Sequence, residues 1–368
     1  MRVLFINAVC GTGSTGKITA ELAEEYDREG HEVKIAYGRS SYVPEKYKNY
    51  AVRIGSMFDV YVHGIMTRLT DRHGFYSSRA TKRFLKWADD YNPDILWLHN
   101  IHGYYINIEL LFTWIKTRPG MKKFWTLHDC WSFTGHCGYF TESGCTKWRT
   151  HCERCPQRDS YPASIRDNSY RNFDDKRRLF TGINGMTIIT PSKWLADLVS
   201  QSYLKEYPVE VRYNTIDKNI FRPSKSNFRQ RFNLMDKKII LGVASIWEKR
   251  KGLNDFVRLS EMLEAEKYAI VLVGVNQRQK KELPEEIIAI ERTNNQKELA
   301  EIYTAADVFL NPSYEDNYPT VNLEAEACGT PVITYDTGGC PETVKDERSY
   351  IVRCGDIEKV KEIIEAMQ

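Results

Sequence analysis

NPSYEDNYPTVNLEAEACGTPVITYDTGG, residues 311–339, reads as a strand end, an acidic loop, a short helix, a tight turn, a second strand and a glycine loop. Pro319 suits a first helical turn, where its missing N–H costs no hydrogen bond. A helix is then expected over Val321 to Cys328. Gly329 fits the left-handed position after the last turn, and Pro331 stops any continuation. Pro331 to Tyr335 follows as a short buried strand. Gly338 and Gly339 come directly after it, where ligands approach an open α/β sheet.

Two features here suit chemistry. The helix start at Pro319, Thr320 and Val321 offers unpaired N–H groups and a positive dipole end, which favour a phosphate. The carboxylates of Glu315, Asp316 and Glu324 flank the same helix. A nucleotide sugar needs both: donors for its diphosphate and acceptors for its hydroxyls. Spacing alone fits an ordinary βαβ unit with a solvated acidic loop equally well.

The 368 residues allow two domains of usual size, and 42% hydrophobic with 27% charged content is that of a globular chain. A net charge of +3 implies no nucleic-acid partner. No apolar run approaches the ~18–20 residues of a spanning helix. Met1 to Asn7 reads as a first strand rather than a signal peptide, because a glycine loop and an amphipathic helix follow. A cytoplasmic protein is therefore expected, whose nine Cys serve as thiols or metal ligands rather than a disulfide framework.

The N-terminal strand, the loop Cys10–Lys17, the helical run Ile18–Glu29 and the next strand make a βαβ opening. Gly11, Gly16 and Lys17 nearly spell a P-loop, but Ile18 stands where Ser or Thr would bind magnesium. Phe58, Val62, Ile65, Met66 and Leu69 then form a helical apolar stripe. Arg68, Arg72, His73, Arg79, Lys82, Arg83 and Lys86 follow closely. That pattern suits either an anionic membrane with a lipid-linked acceptor or a packed helix with a solvated basic face. The apolar strand that starts at Asp94 leaves Asn100, His102 and Tyr104 at its carboxyl end, and the one that starts at Lys123 ends at His128-Asp129, the edge of a parallel sheet that faces ligands.

Cys130, His136, Cys137, Cys145, His151, Cys152 and Cys155 fall within 26 positions. Cys137, Cys145, Cys152 and Cys155 are candidate ligands of a structural zinc, which prefers four thiolates in a tetrahedron. The insertion, about 130–160, has little obvious apolar content, so a metal would help hold it. Free thiols and a redox pair are the other readings. Beyond the polar run Pro223–Asp236 a second α/β pattern starts. Lys249, Arg250 and Lys251 fill its first strand-to-helix loop and suit a diphosphate.

Asp316, seven residues, Glu324 and the following Ala-Glu-Ala-Cys-Gly-Thr-Pro-Val resemble the C-terminal signature of retaining glycosyltransferases of family 4, in the GT-B superfamily. The family usually has Glu where Asp316 stands, so Asp316 and Glu315 both remain candidates for the first acid. Its Arg position is Ile246, whose role is unfilled or shifted to Lys249 or Arg250. TLHDCWSFTGHC and the cysteines after it look like a subgroup building capsule, exopolysaccharide or O-antigen chains.

The resemblance implies two Rossmann-like domains facing a central cleft. The expected division is 1–190 with the Cys-rich insertion, 191–352 for the nucleotide sugar, and a helix at 353–368 packing back on the first domain. It implies a retaining hexosyltransferase-type enzyme, moving a sugar from a UDP- or GDP-sugar to a glycan or lipid-linked acceptor at the inner face of the membrane. Gly13 and Gly16 would approach the donor phosphates, with Lys251 and the helix start at Pro319, Thr320 and Val321. Glu324 would hold ribose, Asp316 or Glu315 the sugar, and His128 would face the reacting bond. No cofactor is needed for that chemistry. A sugar-nucleotide epimerase and a non-catalytic zinc-organised binding protein are the rival readings.

Overall fold

The computed structural model describes residues 1–367. The chain forms two compact units, Met1–Arg212 and Tyr213–Gln368.

The first unit runs β1 (Arg2–Ile6), α1 (Gly13–Arg28), β2 (Glu32–Tyr37), β3 (Ala51–Arg53), α2 (Met57–Thr70), α3 (Ser78–Tyr91), β4 (Ile95–Leu98), α4 (Ile108–Lys116), β5 (Lys122–Thr126), α5 (Ser169–Phe180), β6 (Met186–Thr190), α6 (Lys193–Ser200) and β7 (Val209–Val211). Its seven strands pair in parallel in the order β3-β2-β1-β4-β5-β6-β7. Helices cover such sheets on both faces, which is why β1 and β4 are almost continuously buried. The strand order reverses between β1 and β4, so the crevice beyond their carboxyl ends is the place for a ligand.

The second unit runs α7 (Phe228–Arg231), β8 (Lys238–Val243), α8 (Leu253–Met262), β9 (Tyr268–Val273), α9 (Gln277–Glu282), β10 (Ile287–Ile290), α10 (Gln296–Ala305), β11 (Val308–Asn311), α11 (Thr320–Ala327), β12 (Val332–Tyr335), β13 (Tyr350–Val352) and α12 (Ile357–Ala366). Its parallel order is β10-β9-β8-β11-β12-β13, with the reversal between β8 and β11.

Two expected boundaries move. The division near 190 lies at 212/213, because α6 and β7 complete the first sheet: β7 pairs with β6. The final helix packs in the second unit's own core, where Ile357, Val360, Ile363 and Ile364 join Phe256 and Leu259.

α11 begins one residue before the expected helix, with Pro319 just outside it in an extended conformation (φ −68°, ψ 113°). Its end is a Schellman turn. Gly329 has φ +86°, its N–H donates to the Glu326 carbonyl (2.9 Å), and the Thr330 N–H donates to the Ala325 carbonyl (3.0 Å).

The apolar stripe of α2 faces outward. A capping box between Ser56 and Asp59 starts this helix. Its inward face is Val60, His63 and Thr67, while Phe58 (74% exposed), Tyr61 (68%), Val62, Ile65 and Leu69 lie open. His63 is satisfied inside: Nδ1 bonds Ser77 Oγ at 2.8 Å and Nε2 accepts the Gly74 N–H.

The Cys-rich insertion is rich in buried apolar side chains, contrary to the expectation, and they join the first unit's core. Trp131, Phe133, Phe140 and Trp148 are all buried, and the rings of Phe140 and Trp148 stack at 4.9 Å. Lys176 of α5 ties this plug down: its ammonium donates to the Trp131 carbonyl (2.7 Å) and sits 3.7 Å from the Trp131 ring centroid.

Candidate active site

In the second unit, the chain leaves β8 through the turn Lys249–Lys251 and enters α8 at Gly252. Gly252 has φ +70°, and a Cβ there would sit 2.2 Å from the Pro312 carbonyl oxygen. Only glycine lets this loop lie against the segment leaving β11. Contacts then lock the two loops together. The Tyr314 N–H donates to the Arg250 carbonyl at 2.8 Å. Arg250 Nη1 donates to the Glu315 carbonyl at 2.9 Å. Lys251 Nζ donates to Asp316 Oδ2. Of the two substitutes left open for the family's Arg, Arg250 reaches the acidic loop; Lys249 is exposed, as is Ile246.

The Asp316 carboxylate is occupied at both oxygens, since Oδ1 accepts the Asn317 N–H at 2.9 Å. Burial pushes its pKa up, but Lys251 and Arg250 outweigh that and hold it below the usual carboxylate range. The Glu315 residue is buried. Gly338 closes the loop from the other side. Its φ is +55°, and a Cβ there would lie 1.8 Å from the Asp316 carbonyl oxygen.

The start of α11 at Thr320 and Val321 follows this loop directly. It is pinned by a buried network that sequence reading missed. Asn311 Nδ2 donates to Asn322 Oδ1 (2.9 Å), Asn322 Nδ2 to Thr343 Oγ1 (2.8 Å), and Ser313 Oγ to Asn311 Oδ1 (2.6 Å). Glu324 lies one turn further in. The buried Tyr303 hydroxyl donates to its Oε2 at 3.1 Å. Glu315, Asp316, Pro319, Thr320, Val321, Arg250 and Lys251 therefore gather at the carboxyl ends of β8 and β11, with Glu324 in the helix behind.

In the first unit, the β1–α1 loop separates the two candidate glycines. Gly13 opens α1 with φ +63° and nothing within 4 Å of a Cβ, so its backbone is approachable. Gly16 is buried against Val9, where a Cβ would meet Cγ2 at 2.8 Å; it serves close packing of helix on loop. His128 follows β5, and its Nε2 lies 3.1 Å from Nδ1 of His99, which follows β4. Burial pushes the His128 pKa down to about 4 against an opposing pull from Asp129, so the ring is neutral at pH 7.

Asp129 pairs with His102 Nε2 at 3.0 Å and accepts the Trp131 N–H at 2.9 Å. Burial raises its pKa, yet His102 and that N–H bring it below the usual range. Tyr161 lies 3.4 Å from His102 Nδ1. Tyr104 stands under Arg39, with its backbone at φ +70°. A bulky residue held left-handed is strained, and such strain clusters at ligand sites. Sequence reading places His102 and Tyr104 at the strand end without a role, and singles out neither His99 nor Tyr161. The one available signal was polar residues closing an apolar strand.

Cys137, Cys145, Cys152 and Cys155 line one cavity with His136. The Cys137 and Cys155 thiols are hydrogen-bonded; that bond brings Cys155 down to about 7 and pushes Cys137 up. Among the described residues, no group of three or more His, Cys, Asp or Glu side chains is arranged to hold a metal ion. All nine cysteines are free thiols.

Two family models match the chain. One is described as Glycosyltransferase Family 4 and covers residues 15–219; the other, glycosyl transferases group 1, covers 224–367. Among curated proteins, the chain is 27% identical over 214 residues to the colanic acid biosynthesis glycosyl transferase WcaC of Escherichia coli, covering 55% of this chain and 52% of that one. It is 29% identical over 126 residues, a third of each chain, to the N,N'-diacetylbacillosaminyl-diphospho-undecaprenol alpha-1,3-N-acetylgalactosaminyltransferase of Campylobacter jejuni. The chain thus spans about half or less of these relatives' length. A solved structure of Anabaena HepE with UDP-glucose superposes with TM-score 0.66 at 14% identity, covering 99% of this chain and 89% of that one. The Family 4 model alone covers more than half of the 368 residues, and the chain belongs to the family 4 glycosyltransferases, with the two parallel-sheet units of the GT-B fold.

Proposed function

We propose that this chain transfers a sugar, with retention of configuration, from a nucleoside diphosphate sugar to a hydroxyl of a lipid-linked glycan in bacterial surface polysaccharide synthesis. The observation that carries the donor reading is the gathering of Arg250, Lys251, Asp316 and the α11 start at one switch point. Amides at the start of α11 and the Lys251 ammonium meet the diphosphate charge, so no step requires a divalent ion. An ammonium has three donors, so Lys251 can bond Asp316 and still reach a phosphate. Asp316 therefore orients Lys251, while Glu315 and the loop backbone meet the sugar. Glu324, held by Tyr303, takes the ribose hydroxyls. Neutral His128 donates or accepts a hydrogen bond beside the reacting carbon. The name of HepE's bound ligand favours a UDP-sugar.

The open apolar face of α2 supports the lipid-linked acceptor. Phe58, Tyr61, Val62, Ile65 and Leu69 form an exposed stripe, and Arg68, Arg79, Lys82, Arg83 and Lys86 nearby are exposed cations. An anionic lipid surface matches both. The chain would sit peripherally on the inner membrane face; no helix among the described residues is long and apolar enough to cross one.

A thermal-shift panel of UDP, GDP, ADP and their sugars, run on wild type and Glu324→Ala, tests the donor reading. One nucleotide family should stabilise the wild type and lose most of that effect in the variant. No stabilisation by any of them refutes it, and a new sugar nucleotide formed without acceptor would favour the epimerase.

A further inference from the structure

His136, in the Cys-rich insertion, is 2% exposed. Its Nδ1 bonds Asp71 Oδ1, and Asp71 is itself 1% exposed. The other ring nitrogen, Nε2, is buried and has no hydrogen-bond partner among the described residues. His136 lines one cavity with Cys137, Cys145, Cys152 and Cys155. Since Nδ1 is turned to Asp71, Nε2 is the edge that faces this cavity. An ionised carboxylate only accepts, so the Asp71 bond keeps a proton on Nδ1 and leaves Nε2 as the atom for coordination. Histidines that hold metal ions are fixed in the same way, through their second nitrogen.

The sulfurs of the cavity are not equivalent. The Cys137 and Cys155 thiols are hydrogen-bonded to each other. The groups acting most on Cys137 include Cys155 and Cys152, and those acting most on Cys155 include His136; Cys145 is in neither set. Gly135 lets Cys152 come close, since a Cβ at 135 would lie 2.7 Å from the Cys152 Cβ. Backbone amides already point at two sulfurs, the Gly135 N–H at Cys152 and the Gln157 N–H at Cys155, which favours thiolates. Lys176 is buried, its ammonium bonds no carboxylate among the described residues, and the charged groups acting on it most are Cys152 and Cys137. A zinc ion with three thiolates and a neutral imidazole leaves one negative charge in excess, which this ammonium balances.

We propose that His136 Nε2, Cys137, Cys152 and Cys155 hold a zinc ion, with Asp71 as the carboxylate that orients the imidazole. His136 replaces Cys145 of the four-thiolate set read from the sequence. Among the described residues these groups do not converge on one point, so loading draws them together by side-chain rotation, and each thiol gives up its proton to solvent. Three thiolates and one imidazole make a closed tetrahedral site, structural rather than catalytic. Asp71 is also the residue that ends α2. Its φ is +59°, its Oδ2 accepts the Asn168 N–H at 2.7 Å, and its carbonyl accepts Asn172 Nδ2. Metal loading therefore orders the end of the helix whose open face carries Phe58, Ile65 and Leu69.

Zinc-edge X-ray absorption of the zinc-loaded full chain reads the ligand set directly. Wild type should show three sulfurs at about 2.3 Å and one nitrogen at about 2.0 Å. This needs no variant, so a variant that fails to fold leaves the test intact. Zinc affinity, by competition with a chromophoric chelator, is then compared across three variants. Cys145→Ser should bind within about twofold of wild type, whereas Asp71→Asn, which keeps the shape and removes the charge, should bind about 10- to 100-fold more weakly. His136→Asn should weaken binding at least as much as Asp71→Asn. A four-sulfur shell, or zinc lost by Cys145→Ser and kept by His136→Asn, overturns the ligand set. Wild type that takes up less than about half an equivalent of offered zinc overturns the metal site itself. Stripping the metal should raise hydrogen exchange at the end of α2; unchanged exchange there overturns the link to the helix.

Discussion

Lys251→Met is the most informative single perturbation of the second unit. In the wild type, Lys251 and Asp316 form an ion pair whose side chains are 19% and 13% exposed, and the carboxylate keeps one further bond, from the Asn317 N–H. Removing the cation strands a largely buried charge. Breaking a fully buried pair from one side costs roughly 3–5 kcal/mol; with part of each group in water, about 2–3 kcal/mol is expected here. The double variant Lys251→Met/Asp316→Asn removes the stranded charge and should recover to within about 1 kcal/mol of wild type. Asp316 has a depressed pKa when folded, so its contribution is present above the unfolded value of about 3.9 and is lost as pH falls through the folded one. The difference between wild type and Lys251→Met should therefore narrow on acidification. Hydrogen-exchange mass spectrometry of β8, α8 and α11 peptides across a urea series reports this unit alone. A single variant within about 0.5 kcal/mol of wild type, or a double no better than the single, refutes the argument.

Three further outcomes are expected. Gly338→Ala puts a Cβ 1.8 Å from the Asp316 carbonyl oxygen at a left-handed φ, so the loop must shift and nucleotide affinity should fall at least about tenfold by calorimetry, a backbone strain of roughly 1–2 kcal/mol adding to the clash. Phe58→Glu/Ile65→Glu/Leu69→Glu should abolish sedimentation with vesicles containing anionic lipid while leaving the far-ultraviolet circular dichroism unchanged, because these side chains already face outward. We propose a structural zinc among Cys137, Cys145, Cys152 and Cys155, which requires at least one side chain to turn toward the Cys137–Cys155 pair. About one equivalent of zinc per chain purified without added metal is expected, and less than about half an equivalent refutes it.

Much of the architecture could be read from residue order. Apolar strand runs such as Ile95–Leu98 and glycine loops at strand ends specify parallel α/β units, and Gly329-Thr330-Pro331 marks the end of α11 to within one residue. The misses have physical causes. The stretch from Val209 reads as a strand, but at three residues, largely exposed, β7 carries no sign of which sheet it joins, so the boundary near 190 falls too early. Helical spacing locates the α2 stripe but holds no information on which side meets the core; the buried His63, satisfied by Ser77 and Gly74, sets the inward face and leaves the stripe outside. The aromatics plugging the Cys-rich insertion are scattered without period, so they were not seen as a core. At the candidate site, Glu324 and the α11 start were legible because the motif is local. Tyr303, His99 and Asn322 were not, since each acts through a partner brought near only by folding.

The central claim is a diphosphate held by Lys251 and the start of α11. Calorimetric titration of UDP against UMP, on wild type and Lys251→Ala, tests it most directly. The account predicts that wild type binds UDP at least about tenfold tighter than UMP, and that Lys251→Ala loses most of that preference. Equal affinity for the two nucleotides in wild type, or a preference that survives intact in Lys251→Ala, would contradict it.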